Sequence, residues 1–200
     1  MSGALEGGPD DSSSDAMRHG QRTEPKARSV YALVPTRHGQ RTEPEARSVY
    51  ALVHGCGVTK SWFWVHREHA WLGASRDGLV GAEGLLEIKC PVHQLHATVS
   101  RENMAQVQGQ LEVLGRAWCD FVSWRQGRLL IVRVRRSAAY WAWLFGRLRR
   151  FWRGVGSGVD PQLETIALEG GAQPPPVPQE VLYQGAFDVL IAASWCAGEG

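Results

Sequence analysis

Ser75-Arg-Asp-Gly-Leu-Val-Gly-Ala-Glu-Gly-Leu-Leu-Glu-Ile-Lys-Cys90 reads as two short strands joined by a tight turn. Apolar runs near Ser75–Val80 and Leu85–Cys90 flank Gly81-Ala-Glu-Gly84, and such a break between two runs is a hairpin signal. Asp77 and Glu87 lie ten residues apart, so folding about the turn sets them opposite each other or one diagonal away. Facing side chains on antiparallel strands have Cβ atoms about 5 Å apart, and like charges there repel. Two facing carboxylates are tolerated when a pKa rises or a cation lies between them. Lys89 falls two residues after Glu87, so the strand period puts both on one face, while Leu86 and Ile88 point the other way into a core. Two carboxylates and an ammonium on one face are what is needed to hold Mg²⁺ and position an attacking water. The ion takes a few carboxylate oxygens, activates a bound water and offsets charge growing on a phosphate. The lysine can orient that water or share in offsetting the charge. A charged strand facing solvent has the same short pattern, so its surroundings decide its meaning.

Downstream, Ser100 to Leu114 has helical spacing, with Met104, Val107, Leu111 and Leu114 on one face and Gly115 to end it. Asn103, Gln106 and Gln110 form a polar stripe opposite that face. Cys119–Trp124 and Leu129–Val134 flank Arg125-Gln-Gly-Arg128, a second hairpin, and Ser137 to Trp152 is an aromatic, arginine-rich helix. Upstream, Ser61–Val65 is aromatic and β-branched, which predicts a strand. The segment Arg18–Val34 recurs as Arg37–Val53 with one change, Lys26 against Glu45. Two copies are too few for a solenoid, so one copy is expected to do the structural work. The second is the better candidate. Thr42-x-x-Glu45 forms a capping box, Pro44 falls in the first turn, and Ala46, Val49, Tyr50 and Val53 follow at helical spacing. Glu43 then lies at the helix start with Arg47 one turn later.

All 22 Lys and Arg residues lie between Arg18 and Arg153, against 10 of the 20 acids, so this segment carries about +12 while both ends are acidic. That asymmetry points to a polyanionic partner such as nucleic acid. Arg125–Arg153 holds nine arginines and no acid, interleaved with aromatics. The aromatics recur near helical spacing and are expected in the core; the arginines suit either DNA contact or solvated charge. Cys56, Cys90, Cys119 and Cys196 show no C-x-x-C pairing, and the first residues have no secretory plan, so an intracellular protein with reduced thiols is expected. The longest apolar run, Ala138–Phe145, is too short for a bilayer, and no membrane is expected. His66/His69 and His93/His96 have i, i+3 spacing without a cysteine at zinc-finger distance, so zinc is not expected.

Four blocks occur in order: Trp71-Leu-Gly-Ala-Ser-Arg-Asp-Gly-Leu-Val80, Gly84-Leu-Leu-Glu-Ile-Lys-Cys-Pro91, Met104-Ala-Gln-Val-Gln-Gly-Gln110 and Trp118-Cys-Asp-Phe-Val122. The chain thereby resembles the YqaJ-like recombinase nucleases, related to lambda exonuclease, a branch of the PD-(D/E)xK superfamily. Gly39-Gln-Arg-Thr-Glu-Pro-Glu-Ala-Arg47 looks like that family's upstream acidic helix motif. The resemblance covers about Gly39 to Trp152. It implies an α/β fold with a restriction-endonuclease-like core, a mixed central sheet flanked by helices, between disordered termini. It implies Asp77, Glu87 and the main-chain carbonyl of Ile88 as metal ligands, with Glu43 as a further one, and Lys89 and Gln106 as catalytic. Mg²⁺ would be the cofactor, with Mn²⁺ as substitute, DNA the substrate, and a homo-oligomer a family precedent.

The chain departs from the family pattern at Arg76, where the family has Pro, and at Asn103, where a Tyr is common. The family's arginine-rich N-terminal helix is replaced by the duplicated segment. Arg76 could contact phosphate, as could Arg133, Arg135 and Arg136 from the basic region. The expected organisation is a tail with the first repeat over 1–36, a nuclease core over 37–153 and a Gly/Pro-rich tail over 154–200. The expected function is metal-dependent hydrolysis of DNA phosphodiesters, by exonuclease action in recombination or end processing. The departures favour an alternative, a nucleic-acid-binding module that keeps the fold with weakened catalysis.

Overall fold

A computed structural model describes residues 37–156 and 173–186. The tail and first repeat over 1–36, most of the 154–178 stretch and the end of the Val181–Trp195 run lie outside the described residues. Strands β1 (Val58–Thr59), β4 (Gly78–Val80), β5 (Gly84–Lys89), β6 (Trp118–Arg125), β7 (Arg128–Arg135) and β8 (Gln179–Ala186) form one sheet in the order β1-β4-β5-β6-β7-β8. A separate two-stranded ribbon pairs β2 (Trp64–Val65) with β3 (Gly73–Ala74). The helices are α1 (Arg37–His54), α2 (Arg101–Val113) and α3 (Ala138–Gly156). Within the main sheet β5 and β6 are parallel and every other pair is antiparallel. A parallel pair needs a crossover, and α2 supplies it. The expected mixed sheet flanked by helices is therefore present.

The strand period divides the core between the two faces of this sheet. Leu85, Phe121, Leu130 and Val132 are buried with Met104, Val107 and Leu111 of α2 and Tyr140, Leu144 and Leu148 of α3. Leu86, Ile88, Val122, Trp124 and Ile131 are buried on the other face with Ala46, Val49 and Tyr50 of α1. Both faces are covered, which is why the central strands are nearly continuous in apolar residues. The helix boundaries follow local chemistry. The Ser100 hydroxyl accepts from the Asn103 N–H to cap α2, and Gly115 takes φ 63° just beyond its end. The turn between β6 and β7 is the two-residue Gln126-Gly127, with Gly127 at φ 76°.

The aromatic side chains of α3 lie partly buried against the 66–71 segment. Ring pairs run from Trp152 to Trp71, from Trp71 to Phe145, from Phe145 to His69 and from His69 to His66, with centroids 4.8–6.0 Å apart. His66 and His69 are thereby part of this ring stack. Among the described residues no helix is long and apolar enough to cross a membrane.

Four expectations need correction. Helix α1 begins at Arg37 and runs through Pro44, so Thr42 and Glu45 lie inside it and do not cap it. Only Trp64–Val65 of the Ser61–Val65 run is strand, and Trp62 is 83% exposed. The Ser75–Val80 run is strand only from Gly78, because the chain leaves the ladder at Ser75, whose carbonyl accepts from Gln110 Nε2 at 2.7 Å. Gly73 and Ala74 belong instead to the ribbon, where the Phe63 ring lies so close to Gly73 that a Cβ could not fit. Lastly, α3 runs to Gly156, and β8 from the expected tail pairs along β7 with a register shift between Ile131 and Val132. An unpaired β7 would present an open row of N–H and C=O groups, and β8 covers it.

Candidate metal and active site

The antiparallel register Gly78↔Leu86, Leu79↔Leu85, Val80↔Gly84 makes Asp77 and Glu87 the next facing pair. A backbone bond from the Asp77 N–H to the Leu86 carbonyl at 3.2 Å carries the pairing that far. The hairpin read from the sequence thus brings the two carboxylates together. Asp77 is half-buried and its Oδ2 accepts from the Ile88 N–H at 2.6 Å. Glu87 is buried. Its Oε1 accepts from Lys89 Nζ at 2.6 Å and from Gln106 Nε2 at 2.7 Å, and its Oε2 accepts from Gln110 Nε2 at 2.7 Å. Lys89 Nζ also donates to Gln106 Oε1 at 3.0 Å. That pairing fixes the Gln106 amide, since its NH₂ can only give to the carboxylate and its oxygen only accept from the ammonium.

Helix α2 delivers both glutamines. Gln106 and Gln110 are one turn apart, so they reach adjacent parts of one strand. The polar stripe is therefore not a solvent-facing edge: Asn103 and Gln110 are buried and Gln106 partly so. Gln110 was part of that stripe but had no assigned role; its spacing from Gln106 was the available signal. Asn103 Oδ1 has no hydrogen-bond partner among the described residues.

Glu43 comes from α1, across the sheet. Its carboxylate is paired with Arg47 one turn later, as the sequence indicated, and its charge still acts on Asp77. Burial, then Glu87, then Glu43 push the Asp77 carboxyl well above the usual carboxylate range; the Ile88 N–H and Lys89 oppose this. Among the described residues no three His, Cys, Asp or Glu side chains converge as a ligand cluster. The donors present are two facing carboxylates, with main-chain oxygen nearby. An all-oxygen set of few protein ligands fits a hard divalent cation that keeps several waters. Crowded, partly desolvated negative charge is what such a cation would relieve.

The sign of the Asp77 shift gives a test. A carboxyl raised in the folded state binds its proton more tightly there than in the unfolded chain. Its contribution to stability is full below the ordinary carboxylate range and is lost as pH rises through the raised value. In chelator, the unfolding temperature of the parent should fall across that window relative to Asp77→Asn, and a divalent cation should restore it. Parallel curves for the two proteins would remove the charge strain from the account.

The basic residues expected on DNA are placed differently from one another. Arg133 gives Nε and Nη2 to the buried Asp120 carboxylate at 2.8 and 2.9 Å and stacks on Trp118, 3.8 Å from the ring centroid. Tyr50 donates to the same carboxylate at 2.7 Å. This is an internal clamp between α1, β6 and β7. Arg135 is exposed, and Arg136 is exposed and 3.9 Å from Glu112. Arg76 is buried, donating to Ser61 and lying over Trp64, and burial with Arg116 nearby brings its pKa down to about 10. His96 had no assigned role. It lies beside the site, 2.9 Å from Ser123 Oγ through Nδ1, and Ser123 is the register partner of Lys89. The Ser123 hydroxyl also accepts from the His96 N–H at 3.1 Å.

Residues 34–117 match the family model of the YqaJ-like viral recombinase domain, so the resemblance drawn from the motifs holds. A crystal structure described as LHK-Exo in complex with dAMP is similar over 70% of this chain and 77% of that one, with 29% identity and a TM-score of 0.57. A crystal structure of an alkaline exonuclease, LHK-Exo, from Laribacter hongkongensis is similar over 84% of this chain and 90% of that one, at 26% identity and a TM-score of 0.57. No curated protein matches the chain significantly.

Proposed function

We propose that this chain is a metal-dependent DNA nuclease that hydrolyses phosphodiesters from a strand end. The observation that carries the reading is the constellation at the end of β5. Asp77 faces Glu87, and Lys89 and Gln106 are bonded to Glu87 and to each other. Similarity to an alkaline exonuclease supports end-directed cleavage, and the match to a recombinase domain supports a place in recombination or end processing.

Asp77 and Glu87 would hold Mg²⁺ or Mn²⁺, joined by the Ile88 carbonyl and, from α1, by Glu43. When bound, the cation supplies an activated water and offsets charge on the scissile phosphate. The remaining work falls to the chain itself. Lys89, 20% exposed and held by two acceptors, keeps an ammonium at a fixed point where it can orient the attacking water. Gln106 fixes Lys89 and Glu87 relative to one another, and Gln110 holds the second Glu87 oxygen in place. Arg135, Arg136 and Arg76 are the proposed DNA contacts.

The test is degradation of linear duplex DNA with and without a divalent cation. Release of nucleotides that needs Mg²⁺ or Mn²⁺ and stops with chelator is the expected result. DNA binding without turnover under any divalent cation would select the binding-module alternative, which the departure at Arg76 favours.

A further inference from the structure

Arg76 carries a positive charge that no described residue balances. Its side chain is 5% exposed, and two of its guanidinium nitrogens, Nε and Nη1, are buried without a hydrogen-bond partner. The third, Nη2, donates to the Ser61 hydroxyl. The Trp64 ring covers the group, 5.4 Å from the centroid. By contrast Arg47, Lys89 and Arg133 each have a carboxylate partner. The ionisable group acting most on Arg76 is Arg116, another cation. A buried charge with unmet donors is costly to the fold, and an anion reaching the group would offset that cost.

The neighbours fit that anion. Ser61 Oγ accepts from both Arg76 and Trp64 Nε1, the latter at 3.0 Å. With both acceptor positions used, its own proton is left to donate. Trp64 is 48% exposed, so the ring over the guanidinium lies at the protein surface. Arg76 directly precedes Asp77, so its backbone adjoins the carboxylate pair while its guanidinium lies at Ser61 and Trp64.

We propose that Arg76, Ser61 and Trp64 form an anion subsite that binds a DNA phosphate. This rests on the nuclease reading and gives its Arg76 contact a defined donor set and an anionic ligand. The guanidinium supplies two unused N–H groups and Ser61 one O–H, a donor set suited to phosphate oxygens. The subsite trades stability for affinity: the charge strains the free protein and is satisfied only in the complex.

The test compares the parent with Arg76→Met, an apolar side chain of similar length, and does not measure cleavage. Binding of fluorescent linear duplexes is followed in chelator against salt, and thermal unfolding is followed with and without inorganic phosphate. The methionine variant should bind about tenfold more weakly, the usual scale for losing charge-assisted hydrogen bonds. Its log–log salt slope should be shallower by about 0.9, the value of one phosphate contact. Its unfolding temperature without phosphate should equal or exceed that of the parent, and only the parent should be stabilised by inorganic phosphate. Equal weakening on 5′-hydroxyl and 5′-phosphorylated duplexes assigns an internal phosphodiester; weakening confined to the phosphorylated end assigns a terminal phosphate. Unchanged affinity and slope, with a lowered unfolding temperature, would mean that Arg76 is a structural residue and overturn the proposal. Arg76→Gln keeps hydrogen-bonding capacity without charge and replaces the methionine variant if that does not fold. If the parent binds no DNA, the nuclease reading fails, and the phosphate-dependent stabilisation still decides whether the anion subsite exists.

Discussion

Glu87→Gln should lose less stability than Glu87→Ala and degrade linear duplex DNA about a thousandfold more slowly. The substitution keeps the shape of the side chain and one oxygen, but it removes the charge that balances Lys89 and would bind the cation. Glu87 receives three side-chain donors, from Lys89, Gln106 and Gln110. Glu87→Ala would lose activity too, and by taking one acceptor from each of the three donors it would lower stability further, each lost bond costing about 1–3 kcal/mol. Comparing the two variants separates the loss of charge from the loss of packing and hydrogen bonds. Lys89→Met should show a comparable loss of rate with DNA binding largely kept. Thermal unfolding and DNA affinity in chelator, measured beside the cleavage rate, check this. A Glu87→Gln protein that cleaves at the parental rate would remove the carboxylate pair from the reaction.

Asp120→Ala should destabilise the protein by about 3–5 kcal/mol, the range for breaking one side of a buried pair. Asp120 is completely buried and accepts from Tyr50, from Arg133 Nε and from Arg133 Nη2. Its removal strands a guanidinium and a phenol between α1 and the sheet. The direction of the Tyr50 shift, raised by burial and then by the Asp120 charge, agrees with a neutral phenol donating to a carboxylate. Tyr50→Phe should cost less, about 1 kcal/mol, because only one donor to the carboxylate is lost. Urea unfolding of the three proteins is the measurement, with slopes compared to confirm that the unfolded states match. A loss near 1 kcal/mol for Asp120→Ala would show that the clamp does not hold α1 down.

Much of this arrangement follows from strand arithmetic. The hairpin that sets Asp77 against Glu87 needed only the turn and the period of two, and the alternation of Leu86 and Ile88 against Glu87 and Lys89 matches the two buried faces. The same counting about the Gln126-Gly127 turn pairs Asp120 with Arg133, so the internal role of that arginine was also legible. Within the basic run, the strand partner of an arginine decides whether it meets a buried acid. Strand β8 was not legible, since its pairing with β7 spans a long sequence separation and its exposed edge residues, such as Val181, show no clean alternation. The short β2–β3 ribbon was obscured for another reason: the Phe63 ring packs on Gly73, and the Ser75 carbonyl is taken by Gln110 from a helix 35 residues on. In the site, Gln106 stood out and Gln110 did not, because a glutamine on a polar stripe gains meaning only from the buried carboxylate it meets.

Helix α1 has a consequence for how the length of this chain can change over generations. Its sequence from Arg37 to Val53 is a repeat of Arg18 to Val34, and the one differing position, Glu45, is exposed. Ala46, Val49 and Tyr50, which seal one face of the sheet, have identical counterparts in Ala27, Val30 and Tyr31. Unequal exchange between the coding sequences of the two repeats would remove or add one repeat unit. Every product would still present the same sheet-facing residues before the first strand. The duplication therefore lies where gain or loss of a unit leaves the core sequence untouched, and the solvent-facing side of α1 is where the two units have diverged.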